Sequence, residues 1–315
     1  MNACTTRTAP ALTALALSTL MLAACGGGGG TSTGTLSLSV QDAPVDGADA
    51  VNITFSRVEL HRASGETLND ILDSDPVAAG SQPYTVNLMD YQGVDRLKLL
   101  DGITVPADRY EWIRLYVDAA AIVFNQGQSN EVIEPLDIPS NENSGLKLHS
   151  GFSVAAGGVS DFTVEFDLRK SVHEDAKGYT LRPTLRLVDN LQAGHFAGTV
   201  GSAAAGDDCA VYVYEGTGAT PDDICYVDNG GVLSDCPSPH GLNPITSAAV
   251  TCDASTPAVC RYVTAPLVAG SYTLALTCDA ASDDPSADDS LSFLSTPSAT
   301  VTVSTGATPL NFTLP

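Results

Sequence analysis

Five carboxylates crowd into the eleven residues Asp279-Ala-Ala-Ser-Asp-Asp-Pro-Ser-Ala-Asp-Asp289. Calcium takes about six to eight hard oxygen ligands, and Asp279, Asp283, Asp284, Asp288 and Asp289 can offer several from one loop. The spacing is not that of a helix-loop-helix calcium loop, whose glycine and terminal glutamate are missing here. A solvated acidic loop is the competing reading. Asp207-Asp208 and Asp222-Asp223 join a cation site only if the fold brings them close.

Cysteine supplies the other candidate chemistry. Of eight cysteines, Cys25 follows Leu22-Ala23-Ala24 and precedes five glycines. Upstream lie Arg7 and the apolar run Ala11–Met21, a secretory signal peptide by length and polarity and too short to span a bilayer. Leu-Ala-Ala-Cys matches the bacterial lipobox, in which the thiol is acylated and the chain is cut before it. More than one hydrocarbon chain on Cys25 gives a stable membrane anchor. Gly26, rather than Asp, follows it, so the expected destination is the outer membrane, as in lipoproteins sorted there. Residues 1–24 are then the leader, and residues 25–34 the lipidated cysteine and a glycine-rich tether reaching roughly 15–18 Å.

Six cysteines, Cys209, Cys225, Cys236, Cys252, Cys260 and Cys278, fall in the last third. An even set in an exported chain reads as three disulfides. Strand neighbours suggest Cys209 with Cys278, leaving Cys225–Cys236 and Cys252–Cys260 as local loops, with other pairings open. Without a Cys-x-x-Cys pair, a zinc site is disfavoured.

The elements that must position these groups are strands. Leu36, Leu38 and Val40 alternate with Ser37 and Ser39, the pattern of a half-buried strand. Val51, Ile53, Phe55, Val58 and Leu60 continue it with a slip near Ser56 that suggests a bulge. Tyr84–Leu88, Ile113–Val117 and Phe162–Leu168 alternate too, and Leu181, Leu185 and Leu187 close the first domain, with Pro183 marking an edge or bulge. A short helix is expected around Thr67–Leu72. Near Asp189–Gly194 the composition changes: Arg261 is the sole Lys or Arg beyond it, against 13 acids. Strands at 195–200, 210–214, 261–263, 272–276, 299–303 and 310–314 follow. The expected fold is all-β, with two antiparallel β-sandwich domains at 35–190 and 195–315.

The first domain resembles the bacterial lipoprotein family known as domain of unknown function family 4382. The resemblance rests on Gly34-Thr-Leu-Ser-Leu-Ser-Val-Gln-Asp-Ala-Pro-Val45, Val51-Asn-Ile-Thr-Phe-Ser-Arg-Val-Glu-Leu60 and Tyr110-Glu-Trp-Ile-Arg-Leu115. It continues through Ser144-Gly-Leu-Lys-Leu148, Phe166-Asp-Leu-Arg-Lys-Ser-Val172 and Tyr179-Thr-Leu-Arg-Pro-Thr-Leu-Arg-Leu-Val188. It implies an exported, usually lipid-anchored β-rich module and carries no site residues. The second domain resembles transthyretin-like or carboxypeptidase-regulatory-like sandwiches through Gly198-Thr-Val200, Ala269-Gly-Ser-Tyr-Thr-Leu274 and Leu310-Asn-Phe-Thr-Leu314.

A formal net charge of −23 repels nucleic acid, which is excluded as a partner. His-Glu-x-x-His and Gly-x-x-x-x-Gly-Lys-[Ser/Thr] are absent, and the five histidines are scattered. His173-Glu174-Asp175 is expected in a solvated loop. The function expected is therefore non-catalytic, with no cofactor beyond the candidate calcium. The chain is a lipid-anchored envelope module that binds an envelope protein or glycan, or else an accessory subunit of an outer-membrane transport or assembly complex. An envelope hydrolase is the disfavoured alternative.

Overall fold

The period-two alternation at Leu36, Leu38 and Val40 produces the strand Thr33–Ala43, and all three side chains are wholly buried. The computed structural model describes residues 32–43, 45, 47–69, 84–139, 145–201, 209–225, 227–228, 231–232, 243–253, 259–295, 298–301 and 307–313. The strand Thr33–Ala43 lies between Leu97–Pro106 and Val159–Asp167, and Leu185–Asp189 completes a four-stranded sheet. A nine-stranded sheet faces it, built on Ala50–Arg62 and Asp108–Phe124. The register between those two long strands slips at Thr54/Phe55 and Phe55/Arg57, the bulge at Ser56. It keeps Val58 and Leu60 facing inward after the extra residue. One apolar cluster fills the space between the sheets, with Phe55 and Phe166 meeting edge to face at 6.0 Å.

Beyond Asn190–Gln192, a single 3-10 turn, the strand Ala193–Gly201 opens a second pair of sheets, of six and five strands. Among the described residues no strand pairing crosses from 33–189 to 193–313. Phe196, Val200, Tyr262 and Phe312 of one sheet pack on Val211, Val213, Leu274 and Leu276 of the other. Gly198 shows how tightly the last strands close. A Cβ there would stand 1.6 Å from the Leu310 carbonyl oxygen, and Asn311 Oδ1 accepts from Thr199 N at 2.8 Å.

Several expectations need correction. The sandwiches are not purely antiparallel: Thr33–Ala43 runs parallel to Val159–Asp167, and Ala193–Gly201 runs parallel to Ala307–Pro309 and Phe312–Thr313. Thr67–Leu68 forms a short strand that pairs back on Leu60 and His61, not the start of a helix; residues 70–72 lie outside the described residues. The β-branched Thr67 gains a cross-strand hydrogen bond to His61 Nδ1 at 2.8 Å, which a helix would forfeit. His173 and Glu174 sit in a hairpin strand, Val172–Asp175, paired with Gly178–Leu181. Leu168 belongs to a one-turn helix, Leu168–Ser171, capped by the Asp167 carboxylate accepting from Lys170 N at 3.2 Å.

The first strand is buried on both faces, not one: Ser39 and Gln41 are as enclosed as the leucines. The reason is the second pair of sheets, which packs against the four-stranded sheet; residues 32–315 form one compact unit. Charged groups fill this junction. Lys170 Nζ meets the Asp167 carboxylate at 2.9 Å and donates to the Pro244 carbonyl oxygen. Glu165 pairs with Arg186 and accepts from Thr246 Oγ1, while Arg186 reaches the Pro266 carbonyl oxygen at 3.0 Å. Each cation thus stitches an acid of the first sandwich to backbone of the second, satisfying charges that burial alone would penalise.

Candidate functional site

The strand Ala210–Glu215 is central in the five-stranded sheet and buried on both faces. Val211 and Val213 face the main core, while Tyr212 and Tyr214 point to the opposite side. There they form a second, smaller core with Ile224, Ala275 and Ala280, against which Phe293 packs. Two loops cover that face, and the tyrosine hydroxyls emerge among their acids. A buried phenol oxygen needs a partner, which explains why polar groups gather there.

Tyr212 donates its hydroxyl hydrogen to the Asp283 carboxylate. Ile224 N donates to both Asp283 oxygens at 3.2 Å. The Tyr214 hydroxyl donates to the Asp222 carbonyl oxygen at 2.5 Å and accepts from Asp222 N at 3.2 Å. Asp223, 2% exposed, accepts from Asp289 N at 2.6 Å. Asp289 in turn accepts from Asp284 N at 2.7 Å. The two acidic loops are therefore clamped together through backbone N–H groups and carboxylates.

Two triads of carboxylates result, with oxygens lying within 4.8 Å of one another. One is Asp222, Asp223 and Asp288; the other is Asp223, Asp283 and Asp289. Asp223 is common to both. Burial pushes its carboxyl up to about 6, helped by Asp222 and Asp288 and opposed by the Asp289 N–H. Burial likewise raises Asp283 to about 7, against the Tyr212 and Ile224 hydrogen bonds and the Arg169 guanidinium. Near neutral pH such a cluster either retains protons or takes up a cation.

Three of the five expected carboxylates, Asp283, Asp288 and Asp289, reach the cluster. Asp279 and Asp284 do not; they close local turns instead. Asp279 accepts from Ser292 N at 3.0 Å, and Asp284 accepts from both Ser286 N and Ser286 Oγ. Asp222 and Asp223 replace them. Their signal in the sequence is the Asp-Asp doublet, which recurs at 283–284 and 288–289. Asp207-Asp208 lies outside the described residues.

The structure joins Cys209 to Cys278 and Cys252 to Cys260. In each case neighbouring strands bring the two cysteines together: Ala210 opposes Thr277, and Cys252 opposes Cys260 directly. Cys225 is also disulfide-bonded, whereas Cys236 lies outside the described residues, as does Cys25 with its leader and the tether's first residues. Gly30-Thr-Ser-Thr-Gly34 spells the Gly-x-Ser-x-Gly of serine hydrolases. Ser32 leads straight into the strand Thr33–Ala43 rather than into a helix, so it does not form the strand-turn-helix elbow that exposes such a nucleophile. Among the described residues no helix is long and apolar enough to cross a membrane.

No curated protein matches the chain. Among solved structures, a leucine-rich repeat protein from Bacteroides thetaiotaomicron aligns over 90% of this chain at 13% identity and a TM-score of 0.18. The chain spans 26% of that protein's length. A putative adhesin from Bacteroides ovatus aligns over 91% of this chain and 90% of its own, at 8% identity and a TM-score of 0.19. Residues 33–183, the whole first sandwich up to its last strand, match the model of the family described as Domain of unknown function (DUF4382).

Proposed function

We propose that this chain is an exported, lipid-anchored, non-catalytic module of the cell envelope that works by binding. The observation that carries the reading is Leu22-Ala23-Ala24-Cys25 ahead of a glycine run, an acylation signal joined to a glycine-rich spacer. Two disulfides in the second sandwich support it, because such bonds persist in oxidising compartments outside the cytoplasm. The carboxylates of the Asp223-centred cluster are spent on clamping two loops, a structural use that fits a cation-stabilised scaffold better than a hydrolytic pair. Calcium at that cluster is part of the proposal. It would be held by Asp222, Asp223, Asp283, Asp288 and Asp289 and would neutralise acids that otherwise repel.

Membrane fractionation of cells expressing the natural chain and Cys25→Ser tests the anchor. The natural chain should sediment with outer membranes, and the variant should appear in the soluble or uncleaved secretory fraction. Equal membrane retention of both overturns the anchoring.

A further inference from the structure

The second sandwich packs on the four-stranded sheet, and the outer face of the nine-stranded sheet opens to solvent, with Thr85, Asp118 and Lys147 exposed. Trp112, the sole tryptophan of the chain, stands on that face in the strand Asp108–Phe124. His61 of the neighbouring strand stacks on its ring at 4.7 Å and 5°. The Arg114 guanidinium lies 4.7 Å from the same ring centre and the Lys147 ammonium 4.6 Å. Further along, Arg57 sits 3.7 Å over the Tyr116 ring. Glu59, 7% exposed, holds the group together. Its carboxylate accepts from the Tyr116 hydroxyl at 3.0 Å and from Arg114 at 3.3 Å, and Arg57 Nε lies 3.5 Å away.

A guanidinium stacked on an aromatic ring is held in place for a carboxylate at its N–H edge. Lys147 rests on Trp112 and, among the described residues, forms no ion pair. Arg57, Arg114 and Lys147 outnumber the acids beside them, Glu59 and Glu111, the latter 3.9 Å from His61 Nε2. They make an island of positive charge in a chain whose formal net charge is −23. Along the same strands the face then turns to hydroxyls. Asp118 accepts from Ser56 Oγ at 2.6 Å, and the Thr54 and Thr85 hydroxyls lie 2.6 Å apart. From Thr54 to His61 the strand runs roughly 23 Å, the length of a short oligosaccharide. The overall charge repels dense polyanions and a second copy of the chain. The partner that fits carries few carboxylates and many hydroxyls.

We propose that this face binds an acidic glycan laid along the strands, a sugar carboxylate on Arg114 and Lys147 and sugar hydroxyls on Asp118, Thr54 and Thr85. The inference deepens the binding reading given above and rests on it, but not on the anchor. Membrane retention with no glycan binding removes this inference alone, and binding by a chain that is not anchored leaves it standing.

Fluorescence titration of the detergent-solubilised full chain tests it, because its one tryptophan, Trp112, reports from the face itself. The probe is a hyaluronate hexasaccharide, which carries a carboxylate on every second sugar. Chitohexaose is the neutral control and inorganic polyphosphate the dense anion. The hexasaccharide should shift Trp112 emission to saturation, and chitohexaose should bind at least about ten-fold more weakly. Arg114→Gln and Lys147→Gln should each weaken hexasaccharide binding by about ten-fold, whereas Arg261→Gln, in the second sandwich, should leave it unchanged. If Arg114→Gln fails to fold, the exposed Lys147→Gln decides alone. The proposal is overturned by unmoved emission up to about 1 mM hexasaccharide. Polyphosphate binding as tightly as the glycan, or an equal loss in Arg261→Gln, overturns it too, since the effect is then plain charge. Emission that shifts with protein concentration alone would give the face to a second copy and overturn it as well.

Discussion

Tyr212 donates its hydroxyl hydrogen to Asp283, tying the buried face of the second sandwich to its acidic loop. The pairing couples a core tyrosine to a carboxyl that burial has raised to about 7. A carboxyl with a raised value holds its proton more tightly folded than unfolded. Its contribution to stability is therefore complete at acid pH, below the ordinary value near 4. It is lost as pH climbs from there through about 7.

Replacing the acid by its amide removes that titration. Asp283→Asn should flatten the decline of melting temperature between about pH 4 and pH 7, a slope worth on the order of 3 kcal/mol in the natural chain. Thermal melts across that range, without divalent cations, check it. An unchanged slope in the variant would place the pH dependence elsewhere.

Calcium should act on the same cluster from the other direction. At pH 7.5, with the acids ionised, calcium at ten times its dissociation constant should stabilise the chain by about 1.4 kcal/mol. Asp223→Asn should abolish most of the gain, because Asp223 belongs to both triads. Asp284→Asn should leave it intact, because that carboxylate serves Ser286. A rise that monovalent salt reproduces at matched ionic strength would be screening rather than binding.

The contrast between those two aspartates marks how far the sequence could be read. Period-two patterning revealed the strands at Leu36–Val40 and Ile113–Val117, and the phase slip near Ser56 revealed the bulge. These signals are local, and one buried face is enough to write them. The clustering of Asp222 and Asp223 with Asp283 is set by sheet order across about sixty residues, and no local pattern encodes it. For the same reason Ser39 looked like the wet side of a half-buried strand. Alternation registers polarity, and here the polar face is covered by a second sandwich rather than by water.

The junction between the sandwiches should be energetically substantial. Lys170→Met removes the partner of the buried Asp167 carboxylate and the donor to the Pro244 carbonyl oxygen. Breaking one side of a buried ion pair costs about 3–5 kcal/mol. Chemical denaturation should show that loss, and adding Asp167→Asn should recover part of it because the stranded charge disappears. A loss below about 1 kcal/mol would mean the pair is solvated as a surface bridge.

The mass of the mature N-terminal peptide bears most directly on the reading of this chain as a lipid-anchored envelope module. After purification from membranes and proteolysis, the account predicts a first residue of Cys25 carrying a thioether-linked diacylglyceryl group and an amide-linked acyl chain. A peptide beginning at Cys25 with an unmodified thiol, or a chain still carrying residues 1–24, would contradict it.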